Sequence, residues 1–214
     1  MQKRTLIAVL LTGFGFASLW NGAWALSITL GEQDFLDGAT PTLTGSTSFD
    51  TASAGELAPF NGRIGNDPPG PSFSASWTFN FAAGAYSAGT MTLGIWDHDS
   101  KASGEQVDSF TVDGVDFTAT LNGLFEGRGG GQQEVNIYTV DLAPALGQLA
   151  DGSVTFALAL KGPGLIGAAP GTESTFNSAG LDFSTLSLVP EPGTLALLGL
   201  GIAGLAATRR RKQQ

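Results

Sequence analysis

Alternation of apolar and polar positions dominates the chain. Phe73, Ala75, Trp77, Phe79 and Phe81 alternate with Ser74, Ser76, Thr78 and Asn80, a pattern that predicts a strand with one buried face. Val154, Phe156, Leu158 and Leu160 repeat it. From Val135 to Leu142 the set Val135, Ile137, Thr139 and Asp141 stands against Asn136, Tyr138, Val140 and Leu142. Leu181 to Leu188 alternates again, Thr90 to Trp96 is a β-rich run, and Leu26 to Leu30 opens the series. Phe110 to Phe117 reads as a hairpin closed by Asp113-Gly114, the residue pair that a type I′ turn favours. Helical periodicity is almost absent. Pro144 to Ala150 predicts one or two turns, stopped by Asp151-Gly152. Gly38 to Gly55, Asn61 to Pro71 and Gly127 to Gln133 carry turn and loop composition. Short strands separated by such punctuation predict an all-β domain, an antiparallel β-sandwich of jelly-roll-like type, with an immunoglobulin-like sandwich as the alternative.

Both ends depart from this pattern. Lys3 and Arg4 precede an uncharged run from Thr5 to Leu19, and Ala23-Trp24-Ala25 follows. Small residues one and three positions before a cut suit signal peptidase, so residues 1–25 read as a secretory signal peptide cleaved after Ala25. At the other end, Pro190 and Pro192 predict that regular structure stops from Val189 onward. Fourteen uncharged residues, Thr194 to Ala207, then lead into Arg209, Arg210, Arg211 and Lys212. As helix, that run rises about 21 Å, short of the roughly 30 Å hydrocarbon core of a bilayer. The basic cluster nevertheless predicts a short membrane helix with its end in the cytoplasm. The division is therefore signal peptide 1–25, β domain 26–188 and tail 189–214. Gly199, Gly201 and Gly204 fit a dinucleotide fingerprint, but the chain offers no following βαβ unit, so the match is accidental.

Composition sharpens this division. The chain of 214 residues has no cysteine and a net charge of −9. Disulfides, thiolate metal sites and a cysteine nucleophile are excluded. Acidity argues against binding nucleic acid through its phosphates. Six of the basic residues lie in the two end segments, and only Glu191 among the acids does. The central domain keeps Arg63, Lys101, Arg128 and Lys161 against 18 acids, a net charge of −14.

The order Val189-Pro190-Glu191-Pro192-Gly193-Thr194, short apolar helix, Arg-rich terminus resembles the PEP-CTERM sorting domain. The resemblance covers Val189 to Gln214 and implies a bacterial exported protein. Its expected partners are signal peptidase, an exosortase that recognises the Pro-Glu-Pro motif and processes the tail, and the membrane through the C-terminal helix. Such proteins are associated with the outer surface and with exopolysaccharide or biofilm matrix. The expected location is the inner membrane before processing, then the cell surface or extracellular matrix.

Chemistry within the domain is sparse. Asp97, Asp99 and Asp108 surround the end of the Thr90–Trp96 run and supply oxygens of the kind calcium takes. Lys101 and a missing glycine exclude an EF-hand. Glu32, Asp34 and Asp37 follow the first strand, and Asp182 opens the last. In this the domain resembles calcium-containing carbohydrate-binding jelly rolls, which implies a structural Ca2+ held where first and last strands meet. His98 is the only histidine and no G-x-S-x-G elbow occurs, so no hydrolase motif is present. Trp96 and Tyr86 are the candidate sugar-stacking aromatics, whereas Trp77 falls in the core pattern. The expected function is non-enzymatic: a structural or adhesive surface or matrix domain. The alternative is a carbohydrate-binding module that retains polysaccharide at the cell surface, followed by a small secreted hydrolase.

Overall fold

The structure, a computed structural model, describes residues 25–41, 46–65, 71–97, 105–128, 133–161 and 178–191. The elements run β1 (Leu26–Gly31), α1 (Ser46–Ala52), β2 (Arg63–Ile64), β3 (Ser74–Asn80), β4 (Tyr86–Trp96), β5 (Val107–Val112), β6 (Val115–Asp116), α2 (Thr118–Arg128), β7 (Val135–Asp141), β8 (Ser153–Leu160) and β9 (Ala179–Pro190). They form two antiparallel sheets. One has the order β1-β9-β4-β7, with β2 also paired to β9, and the other has the order β3-β8-β5-β6.

The alternation in the sequence is the alternation in space. Along β3, Ala75, Trp77 and Phe79 are buried while every serine, threonine and asparagine between them is exposed. On β7 the buried set is Asn136, Tyr138 and Val140, joined by Val135 at the strand's start and by Leu142 just after its end. The two inner faces share one core. Phe156 of β8 stacks on Trp77 and Phe110 at 5.7 and 6.4 Å and meets the edge of Phe79 at 5.7 Å. From the opposite sheet come Met91, Leu93, Ile95, Leu186 and Leu188. The Trp77 indole N–H donates to the Ser184 hydroxyl at 3.0 Å, so one hydrogen bond crosses between the sheets. Each buried aromatic or branched side chain contributes about 1.5–3 kcal/mol, and this burial replaces the disulfides that the chain lacks.

The Asp113-Gly114 turn forms as predicted. Both residues have positive φ, 47° and 79°, which a type I′ turn requires and which glycine adopts without cost. Pro144 to Ala150 also folds as expected, into the 3-10 turns Ala143–Ala145 and Gln148–Asp151, ended by Gly152. Three expectations need correction. Gly38 to Gly55 is not all loop, since it contains α1. The segment after the hairpin forms α2, in which Leu121, Asn122 and Phe125 are buried. Regular structure does not stop at Val189: β9 continues through Pro190, and the Glu191 amide still donates to the Ala85 carbonyl at 2.9 Å. Successive amides of a strand point to opposite sides. Glu191 faces β4, so Pro190 faces the β1 side, and β1 ends there with Leu26 opposite Leu188. The missing proline N–H therefore falls where no ladder bond of β1 is lost.

The outer edge of β7 is covered. The Gly38 and Val135 amides and the Val135 and Ala39 carbonyls make a bridge with 2.8 Å bonds. Asp37 accepts the Ile137 amide at 2.8 Å and pairs with Arg128 at 2.5 Å. Among the described residues no helix is long and apolar enough to cross a membrane, and Thr194–Ala207 lies outside them.

Candidate functional site

The sorting motif begins inside the sheet. Val189 and Pro190 are the last residues of β9, paired with Ala88 and Tyr86 of β4. The Val189 carbonyl accepts the Ser87 hydroxyl at 3.2 Å. Tyr86 anchors this corner: it is buried, its hydroxyl donates to the Ala82 carbonyl, and its ring meets the edge of Phe81 at 5.7 Å. On the other side of β9, Leu26 pairs with Leu188. The predicted first residue after signal cleavage and the last residue before the motif are thus neighbours at one end of one sheet. Ala25 is exposed just ahead of β1. Ala23, Pro192, Gly193 and Thr194 lie outside the described residues.

The second candidate is the acidic group at the first and last strands. Asp182 on β9 is 1% exposed. Its carboxylate accepts the Asp34 amide at 3.3 Å and the Phe35 amide at 3.4 Å. Burial, reinforced by the Asp34 and Glu56 carboxylates, pushes its pKa up to about 7. Burial and Glu32 raise Asp34 as well. Glu56, which sequence reading did not include, belongs to the same group. One of its oxygens takes the Glu32 amide at 3.2 Å, and the other is buried without a hydrogen-bond partner among the described residues. Burial first, then Asp34 and Glu32, raise Glu56 also. Gly31 permits the approach of the strands here, since a Cβ there would lie 2.6 Å from the Asp182 carbonyl oxygen. The fold therefore gathers Glu32, Asp34 and Asp182, while Asp37 turns to Arg128 and the Ile137 amide. It turns the Asp182 oxygens onto backbone amides, and among the described residues no group of three or more His, Asp or Glu side chains is placed to hold a metal ion.

Of the other calcium candidate, only Asp97 and Asp108 are among the described residues, and they lie apart. Asp97 has a positive φ of 57°, accepts the Gln133 amide at 2.7 Å and gives its own amide to the Glu134 carbonyl at 3.0 Å. Its side chain closes a loop. Asp108 is exposed on β5 in the opposite sheet, and His98 and Asp99 lie outside the described residues.

The two proposed sugar-stacking aromatics need correction. Trp96 is 1% exposed, stacked on Phe49 at 5.2 Å, with its indole N–H on the Gln133 carbonyl at 3.1 Å. Phe49 comes from α1, which the loop-like composition of its surroundings concealed. Tyr86 is buried as described above. Neither ring face is open to a ligand.

What the solvent face of the first sheet does present is hydroxyls. Thr29, Thr185, Thr92 and Thr139 stand in one register row across β1, β9, β4 and β7. Ser27, Ser187, Thr90 and Asp141 form the next row. Hydroxyl pairs join neighbouring strands: Thr29 with Thr185 at 2.8 Å, Thr92 with Thr139 at 3.0 Å and Ser27 with Ser187 at 3.4 Å. Asp141 is the only charged residue in the two rows, on a domain that otherwise carries many acids.

Comparison with protein families finds one match: residues 188–212 fit the PEP-CTERM protein-sorting motif. No curated protein and no solved structure matches the chain. The matched segment begins at Leu188, the residue that pairs with Leu26, so the family motif and the end of β9 overlap. The chain thus carries a PEP-CTERM sorting motif, which indicates an exported protein sorted by an exosortase.

Proposed function

We propose that the chain is a bacterial cell-surface or extracellular-matrix protein whose β domain has a structural or adhesive role. The observation that carries this reading is the sorting motif fused directly to the end of a central strand. A cut after Ala25 supports it, because the new chain would start on the first residue of β1. The architecture supports it as well. With β2 set aside, eight strands pair from the chain ends inward: β1 with β9, β3 with β8, β4 with β7 and β5 with β6. That is how one long hairpin rolls into a jelly roll, a scaffold that leaves two broad faces for contact. The predicted short helix from Thr194 to Ala207 holds the protein in the inner membrane until the exosortase acts. Fractionation of cells tests this. Wild type is expected in the surface or matrix fraction, and a Pro190→Ala/Glu191→Ala variant in the membrane fraction. Equal distribution of the two contradicts it.

A second reading, polysaccharide retention, is favoured by the hydroxyl rows. A nearly uncharged face of ordered hydroxyls matches the hydrogen-bonding groups of a neutral glycan, while the acids elsewhere on the domain repel anionic polymers. Thr185→Lys at the centre of that face is expected to abolish retention on neutral polysaccharide. Unchanged retention refutes this reading.

A further inference from the structure

The first residues of the sorting motif have two incompatible uses. In the folded chain Val189 and Pro190 complete β9, and Glu191 bonds to Ala85 just ahead of β4. A processing enzyme that reads an extended peptide through its main chain needs the same donors and acceptors. Access from the open side of β9 does not supply them. The Glu191 amide points to the β4 side, and Pro190 has no amide hydrogen to offer. We propose that the end of β9 is a latch. The exosortase reads the motif only in molecules whose Val189–Glu191 segment has peeled away from β4 and Ala85. The inference rests on the exosortase reading of the tail and adds that the folded domain sets the rate at which the tail is processed.

Three observations place the moving part on β9 and not on β4. Tyr86 is fixed in the core by its ring and hydroxyl contacts, so the start of β4 stays put. Val189 is 38% exposed, one of the few exposed large hydrophobics among the described residues, so little burial holds it down. Among the described residues β1 pairs with β9 only as far as Leu188, and the last residues of β9 are held from the β4 side. Strand ends of this kind open locally at far lower cost than the centre of the sheet.

The absence of cysteine gives a clean test. Ala88 and Val189 are register partners and both exposed. In the full-length protein, an Ala88→Cys/Val189→Cys pair forms a disulfide in the oxidising exported compartment and staples the latch shut. Pulse-chase in cells that contain the exosortase follows tail removal by gel shift. The oxidised pair is expected to be processed roughly tenfold or more slowly than either single variant, with the rate restored by reductant. A second variant opens the latch: a Gly-Ser-Gly-Ser insertion between Leu188 and Val189 is expected to speed processing. Equal rates for the oxidised pair and the single variants, or an insertion that gives no acceleration, overturn the proposal. A wild-type chain that keeps its tail in these cells refutes the sorting reading itself, and the latch with it.

Discussion

Asp182 carries a carboxyl group that the fold holds above its ordinary range. Its pKa rises from 3.8 to about 7, first through burial and then through the Asp34 and Glu56 carboxylates. The folded state therefore binds this proton more tightly than the unfolded chain does. The stability it contributes is full below about pH 4 and is lost as pH rises to about 7. Asp34 and Glu56 shift in the same direction. The melting temperature should fall between pH 5 and pH 7.5, and Asp182→Asn should flatten that fall. A variant with the wild-type slope would show that Asp182 is not the titrating group. Asn122 acts in the opposite sense, as a satisfied buried polar residue. Its side-chain oxygen takes the Gln106 and Val107 amides at 2.9 Å each, and its amide gives to the Val107 carbonyl at 3.2 Å. Asn122→Ala orphans these groups and is expected to cost ~2–4 kcal/mol, measured by denaturant unfolding. The resemblance to calcium-containing jelly rolls, in which first and last strands lie close, put Glu32, Asp34 and Asp182 in one group. It gave no sign of Glu56 or Asn122, because both reach their partners from elements whose positions only the fold sets.

At the scale of elements, the long strands were readable and the two α-helices were not. Strands buried on one face write a period of two into the chain, as β3 and β8 do. Phe117, just ahead of α2, and Leu121 and Phe125 within it are buried and recur every fourth residue, but two glycines and two threonines in the helix blur the pattern. Phe125 packs on Tyr138 at 4.7 Å and ties α2 to β7. Phe125→Ala is expected to destabilise the domain by ~3–5 kcal/mol, read as a lower denaturation midpoint. The reach of β9 was also underestimated. Proline at 190 looked like a strand breaker, yet among the described residues no strand pairs with it on its amide side. Hydrogen exchange should separate the two parts of β9. Amides from Leu181 to Leu188 are expected to be protected near the global limit, and the Glu191 amide to exchange much faster. Equal protection would contradict an end that frays.

On the scale of the whole molecule, a strongly acidic β domain leads into the sorting tail, and its first and last strands meet at the Leu26–Leu188 pair. The sorting tail was legible because such a signal is a linear text: prolines, an apolar run and a basic cluster in a fixed order. The surface chemistry was less so. Trp96 stood beside an acidic loop in sequence and lies under α1 in the fold, whereas the hydroxyl rows exist only once four strands are in register. Export and tail processing together make the central claim, and an intact mass of the protein recovered from outside the cells tests both at once. The predicted chain begins at Leu26 and has lost the basic end, Arg209 to Lys212. A protein of full length, or one that retains its Arg-rich terminus at the cell surface, would contradict the account.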